Sequence, residues 1–336
     1  MGEKSRNNND KDYYFDLGIR ELDSGNFDKA IRAFEKAIHK NPNDPRLYNN
    51  LGIAYELTQD FEKARSAYEK AIEINPEDSS VLNNLAGLSL LEGKPHDAAL
   101  LYDSAISADP LYIEPYINIA RMFIEMREFS PAEPYVRKVL EIEPDNAEAL
   151  NLLGVITSVT KRSEEAVLHF QNAIKSDANQ YSVFSNLGAA LQKIGDKKRA
   201  IIALEKSYEL NPNNLSIMNN LGVLYRETGN YDKAKYYFNR AIEFYPENPF
   251  PYINIAELYI RIEEYDRALD NLKKYSSLVP LDMDTLFKTC GIARMADRLA
   301  DVIEEMKNFL KESDSSDSRV KVIKKWLKTV KSKKSG

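Results

Sequence analysis

The sequence holds a single cysteine, Cys290, which excludes an internal disulfide framework and fits a reducing compartment. No apolar run approaches the roughly 20 residues that a membrane-crossing helix needs. The first ten residues, MGEKSRNNND, contain no apolar stretch of the kind that heads a secretory signal. Arg6 stands where an N-myristoylation motif places Ser or Thr. A cytoplasmic location is therefore expected. Histidine is scarce as well: His39, His96 and His169 lie far apart, in no metal-ligand spacing. There is no phosphate-binding glycine loop, no nucleophile elbow and no HExxH pair. Catalysis, a bound metal and a cofactor are all unexpected.

Negative charge is missing from one place. Between Arg319 and Gly336 there are eight Lys and Arg and no acid; the whole chain carries −6, so residues 1–318 carry −14. An acidic body is a poor partner for nucleic acid, and none is expected. Hydrophobic residues at 43% leave enough apolar area for an extended core.

What the sequence does have is a repeat. Prolines fall at 42, 76, 110, 144, 212, 246 and 280, a spacing of 34 with one double gap, in which Ala178 stands for the proline. Counted from Lys11, eight ungapped units follow: 11–44, 45–78, 79–112, 113–146, 147–180, 181–214, 215–248 and 249–282. Within the second unit, Tyr48, Leu51, Gly52 and Tyr55 recur at i, i+3, i+4, i+7, then Ala64, Tyr68, Ala71 and Ile72 at i, i+4, i+7, i+8. Each set traces one helical face. The link between them carries glycine in other units, at Gly25, Gly93, Gly195 and Gly229. Each proline ends a second helix, because it lacks an N–H and restricts the residue before it. Position 8 is always Gly or Ala, and position 20 is alanine throughout, from Ala30 to Ala268. Small residues on both helices predict a close crossing.

With these residues, the chain resembles the tetratricopeptide repeat family over residues 11–282. The resemblance implies an all-α fold, a right-handed superhelix of helix–turn–helix units whose first helices line a concave, peptide-binding groove. Residues 1–10 are expected to form a disordered tail. Residues 283–312 read as a degenerate capping helix pair, 313–318 as a polar linker and 319–336 as a basic amphipathic helix with Val320, Ile323, Leu327 and Val330 on its apolar side.

If the family's geometry holds, positions 2, 5, 6, 9, 12 and 13 face the groove. Position 6 reads Asp16, Asn50, Asn84, Asn118, Leu152, Asn186, Asn220 and Asn254. This row is similar to the asparagine ladder in the repeat domain of O-linked N-acetylglucosamine transferase, which holds an extended polypeptide by its backbone; that enzyme's catalytic half has no counterpart here. A carboxamide offers one acceptor and two donors, matching any peptide unit. The same amides equally suit bonds to a neighbouring helix, and both readings stand. Ile53, Leu57, Leu90, Leu91 and Ile124 add an apolar tract, whereas Gln192, Lys193, Arg226, Glu227, Glu257 and Arg261 make a charged one. Position 5 has no basic residue and position 9 no asparagine, so the carboxylate clamp of chaperone-binding relatives is not expected. The fifth unit departs most from the pattern, with Leu152, Thr157, Lys161, Ser163 and Ala178.

A protein-binding scaffold follows as the leading function, with a protein or peptide as partner. Two alternatives remain: docking to an anionic membrane or acidic partner through residues 319–336, and self-association into a structural assembly.

Overall fold

The computed structural model describes residues 2–279, 283–314 and 317–333, with side chains for 13–279, 283–314 and 317–330. Pro280, the end of the last unit at Asp282, and part of the linker lie outside the described residues. Among those described, all regular structure is helical.

The chain divides into two compact units, residues 1–176 and 177–336. The division falls at the end of the fifth repeat, where Ala178 replaces proline. The first unit holds α1 (Gly2–Asp23), α2 (Phe27–Lys40), α3 (Pro45–Leu57), α4 (Phe61–Ile74) and α5 (Ser79–Leu91). It continues through α6 (Pro95–Ala108), α7 (Glu114–Glu125), α8 (Phe129–Ile142), α9 (Ala147–Val159) and α10 (Ser163–Ser176). The second unit holds α11 (Tyr181–Lys193), α12 (Lys197–Leu210), α13 (Leu215–Glu227), α14 (Tyr231–Phe244), α15 (Phe250–Arg261) and α16 (Tyr265–Leu278). It ends with α17 (Met283–Met295), a short 3₁₀ turn (Leu299–Val302), α18 (Ile303–Glu312) and α19 (Ser318–Lys333).

Helix starts are set by short polar side chains. Asp60, Asp78, Asn146, Asp196, Asn214 and Asn230 each accept from the backbone N–H three residues on, satisfying a donor that the helix leaves open. Helix ends keep the 34-residue register: α4, α6, α8, α12 and α14 stop two residues before their prolines, and α10 stops at Ser176, two before Ala178. Proline is thus not the only terminator. Residues 2–10, expected to be disordered, continue α1; no proline interrupts Glu3, Lys4 and Arg6, and extending a formed helix costs far less than nucleating one.

The small residues at position 8 have a specific partner. A Cβ on Gly18, Gly52 or Gly222 would collide with the ring of Phe34, Tyr68 or Phe238 in the following helix, and one on Gly154 would sit 2.5 Å from Phe170. The glycine is a seat for the aromatic at position 24. The alanines of position 20 are fully buried at the same crossings. The linking turns share one backbone state at position 15, with φ near +60° to +84° at Gly25, Gln59, Gly93, Arg127, Lys161, Gly195, Gly229 and Glu263. Four of these eight turns thus hold a side chain in the left-handed region, which glycine occupies at no steric cost.

The last elements close the second unit. Trp326 stacks on Phe287 with ring centroids 5.8 Å apart, and Val320, Ile323 and Val330 are buried beside it. Trp326 joins this apolar face as a buried residue, and Leu327 is only half-buried where the helix packs on α17 and α18. Arg319 anchors the start of α19 through Asp317 and an ion pair to Asp284. Cys290 is fully buried, which pushes its thiol up to about 12.

Candidate functional site

Within the first unit, α3, α5 and α7 pack on one another as well as on their own second helices, so the first helices form the inner side. Each presents three residues at i, i+3, i+7. Asn50, Ile53 and Leu57 come from α3, Asn84, Gly87 and Leu91 from α5, and Asn118, Arg121 and Glu125 from α7. The face is a three-by-three array: a row of amides, a middle row of Ile, Gly and Arg, and a row of Leu, Leu and Glu.

The amides are engaged with the protein itself. The Asn84 Nδ2–H donates to Asn49 Oδ1 at 2.9 Å, and the Asn118 Nδ2–H to Asn83 Oδ1 at 3.0 Å. In the second unit Asn254 donates likewise to Asn219 at 3.3 Å. Each bond joins position 6 to position 5 of the preceding repeat, a spacing of 35 residues. Asn50 instead donates to its own helix, at the Arg46 carbonyl, since position 5 of the first repeat is Phe15. For Asn220 the residue 35 positions earlier is Ser185 instead of an asparagine, and Asn220 makes no hydrogen bond among the described residues. Asn186 has a polar partner too. Leu152 replaces the amide where position 5 is Ile117, and both belong to one buried cluster with Leu153 and Ile156. The amide pair and the apolar pair are two solutions at one register. The position 5 asparagines were missed as members of this network, although the spacing of 35 was open to inspection.

One N–H of each paired amide is spent, but Asn84 Oδ1 makes no bond among the described residues. The apolar tract divides in two. Ile53, Leu90 and Ile124 are half-buried against core clusters, whereas Leu57 and Leu91 are 50% and 60% exposed. Beneath the face, Glu56 accepts from the Tyr68 hydroxyl at 2.9 Å, and burial raises its carboxyl above the ordinary value. Arg121 pairs with Glu148 at the charged edge.

The charged tract of the second unit is tied up internally. Arg226 donates to Glu257 at 2.7 Å and to the Asn254 carbonyl at 3.2 Å, Lys197 pairs with Glu227 at 2.9 Å, and Arg261 donates to the Tyr231 hydroxyl at 3.0 Å. Among the described residues no group of His, Cys, Asp and Glu is placed to hold a metal ion, and no helix is long and apolar enough to cross a membrane.

Sequence models of the tetratricopeptide repeat match residues 15–79 and 58–113, 89–156, 181–214 and 216–248. No curated protein matches the chain. Among solved structures, the APC/C hetero-tetramer Cut9–Hcn1 is similar with a TM-score of 0.59 at 19% identity, over 73% of this chain and 47% of that one. The chain therefore spans just under half the length of that relative. A tetratricopeptide repeat protein from Parabacteroides merdae aligns over 88% of this chain and 99% of its own, with a TM-score of 0.51 and 15% identity. At these identities the likeness is one of fold.

Proposed function

The chain belongs to the tetratricopeptide repeat family, and from that premise we propose that it is a non-catalytic scaffold for protein–protein contacts, binding an extended polypeptide segment on the inner face of α3, α5 and α7. One observation carries the reading: two leucines half or more exposed, Leu57 and Leu91, lie beside a row of amides on the inner side. Exposed leucines on neighbouring helices favour an apolar side chain of a ligand. The unspent groups of Asn50, Asn84 and Asn118 favour its backbone. Asn186, Asn220 and Asn254 serve a second stretch in the other unit, with Ile53, Leu90 and Ile124 as the floor of the first and Arg226 bracing the second.

The test is peptide selection from a random dodecapeptide library on the immobilised full chain, followed by the Leu57→Ser/Leu91→Ser variant. The variant is expected to bind the selected peptide at least about tenfold more weakly, since two buried leucine contacts are worth more than 1.4 kcal/mol, and to melt like the parent. Unchanged affinity would place binding elsewhere.

A second reading rests on α19. Lys321, Lys324, Lys325 and Lys328 are exposed on one face and make no ion pair among the described residues. The apolar face of α19 is already buried, so docking to an anionic membrane or acidic protein through this helix is a matter of charge alone and weakens with salt. Anionic vesicles that bind the full chain no better than neutral ones would remove this reading.

A further inference from the structure

Gly87 is the one glycine on the inner face, and nothing in the fold requires it. The glycines at 18, 52, 154, 188 and 222 each seat a large side chain of the next helix, whereas a Cβ on Gly87 would meet only the Tyr102 hydroxyl, at an unstrained 3.9 Å. A glycine inside a helix weakens it relative to alanine. The space it leaves open lies between Ile53 and Arg121, at the centre of the three-by-three array.

Below that gap is a hydroxyl with no hydrogen-bond partner among the described residues. Tyr102 is 2% exposed, yet its hydroxyl makes no hydrogen bond to the described residues and is not sealed from solvent. The matching residue one repeat earlier, Tyr68, has a partner in Glu56, but the position of Glu56 is taken by Leu90 in the repeat of Tyr102. Position 8 differs too: Gly52 leaves room for the Tyr68 ring, where Ala86 brings a methyl group. The hydroxyl is therefore left to solvent, and a ligand carbonyl that accepts from it takes the place of water.

We propose that Gly87 and Tyr102 form a hydrogen-bonding subsite for the main chain of an extended polypeptide, which passes over Gly87 so that one of its carbonyl oxygens accepts from the Tyr102 hydroxyl. The inference rests on the inner-face reading above and names where that ligand's backbone is held. Absence of a Cβ at residue 87 lets a second backbone come within reach of the hydroxyl. Burial pushes the phenol up to about 12, so it stays protonated and offers a neutral donor. Arg121 acts on this hydroxyl in one sense and Glu56 and Glu125 in the other, so charges of both signs meet there and the neutral phenol offers a plain hydrogen bond to a carbonyl. Asn84, one turn away on the same face, presents its free carboxamide oxygen to a peptide N–H. The side chain next to that carbonyl rests on Leu57 and Leu91.

The experiment uses a synthetic, fluorophore-labelled dodecapeptide selected from the random library on the full chain. Its affinity is measured by anisotropy for the parent, Gly87→Ala, Tyr102→Phe and Leu57→Ser/Leu91→Ser. Gly87→Ala is expected to melt at or above the parent's temperature and to bind about fivefold or more weakly, because the new methyl lifts the ligand off the hydroxyl. Tyr102→Phe, which removes one oxygen and leaves no protein group unsatisfied, is expected to keep its melting temperature and lose about three- to tenfold in affinity. If only the leucine variant loses affinity, the subsite is refuted and the inner-face reading stands. If no peptide is selected, or none of the variants changes binding, both are refuted. Should Gly87→Ala fail to fold, Tyr102→Phe decides alone.

Discussion

Replacing Asn118 with alanine separates a strut from a bystander. In the folded chain its Nδ2–H reaches Asn83 Oδ1 at 3.0 Å, and Asn83 is only 9% exposed. Removing the donor leaves that oxygen buried and poorly hydrated, at about 1–3 kcal/mol. Asn84→Ala strands Asn49, which is half-buried and more readily met by water, so its loss belongs at the low end, about 0.5–1 kcal/mol. Asn220→Ala breaks no bond and is expected to fall within about 0.5 kcal/mol of the parent. For a chain this long, 1 kcal/mol moves the melting temperature by about 1.5 °C. The double variant Asn83→Ile/Asn118→Leu copies the Ile117 and Leu152 pair found one repeat later. Replacing both partners with apolar groups should recover most of the loss. The assay is the urea midpoint by far-ultraviolet circular dichroism, with a double-mutant cycle on Asn83 and Asn118 expected to give about 0.5–1.5 kcal/mol of coupling. A coupling of zero, with Asn118→Ala indistinguishable from Asn220→Ala, refutes the strut.

Three further outcomes follow from other parts of the molecule. Gln59→Gly and Lys161→Gly, at φ of 62° and 63°, should each raise stability by about 0.5–1 kcal/mol, the left-handed penalty less glycine's extra chain entropy; a lower denaturation midpoint would contradict the turn geometry. Arg162 donates to Glu133 at 2.6 Å and holds its carboxyl below the ordinary 4.5, so this pair contributes stability above pH 4.5 that disappears as pH falls through the lower folded value. Glu133→Gln should therefore be less stable than the parent at pH 7, with the gap closing on acidification; a gap constant with pH would show that the ion pair is not its source. Trp326 is the only tryptophan and sits on Phe287, so native emission should be blue-shifted, and ending the chain at residue 316 should make the buried Cys290 react rapidly with a thiol reagent; equal thiol rates in both chains would mean α19 covers nothing.

The sequence by itself determined that the chain is helical and where its helices pair, because helix periodicity and a 34-residue recurrence are local and repeated properties. Alanine at position 20 and glycine or alanine at position 8 were legible for the same reason: a crossing that recurs must be solved with the same small residues each time. The tertiary structure decided what lies between the helices. That Asn118 bonds Asn83 depends on the separation and rotation of two first helices, which no single helix encodes. The left-handed state of Gln59, Arg127, Lys161 and Glu263 was hidden because these side chains carry no backbone signal, and only closure of the turn imposes it. Leu57 and Leu91 were separable from Ile53, Leu90 and Ile124 only once packing had covered the latter three. The gap at Gly87 emerged in the same way. A glycine reads alike in any sequence, and whether it seats a ring, as Gly52 does, or opens a path to a buried hydroxyl is settled by what the neighbouring helix places beneath it.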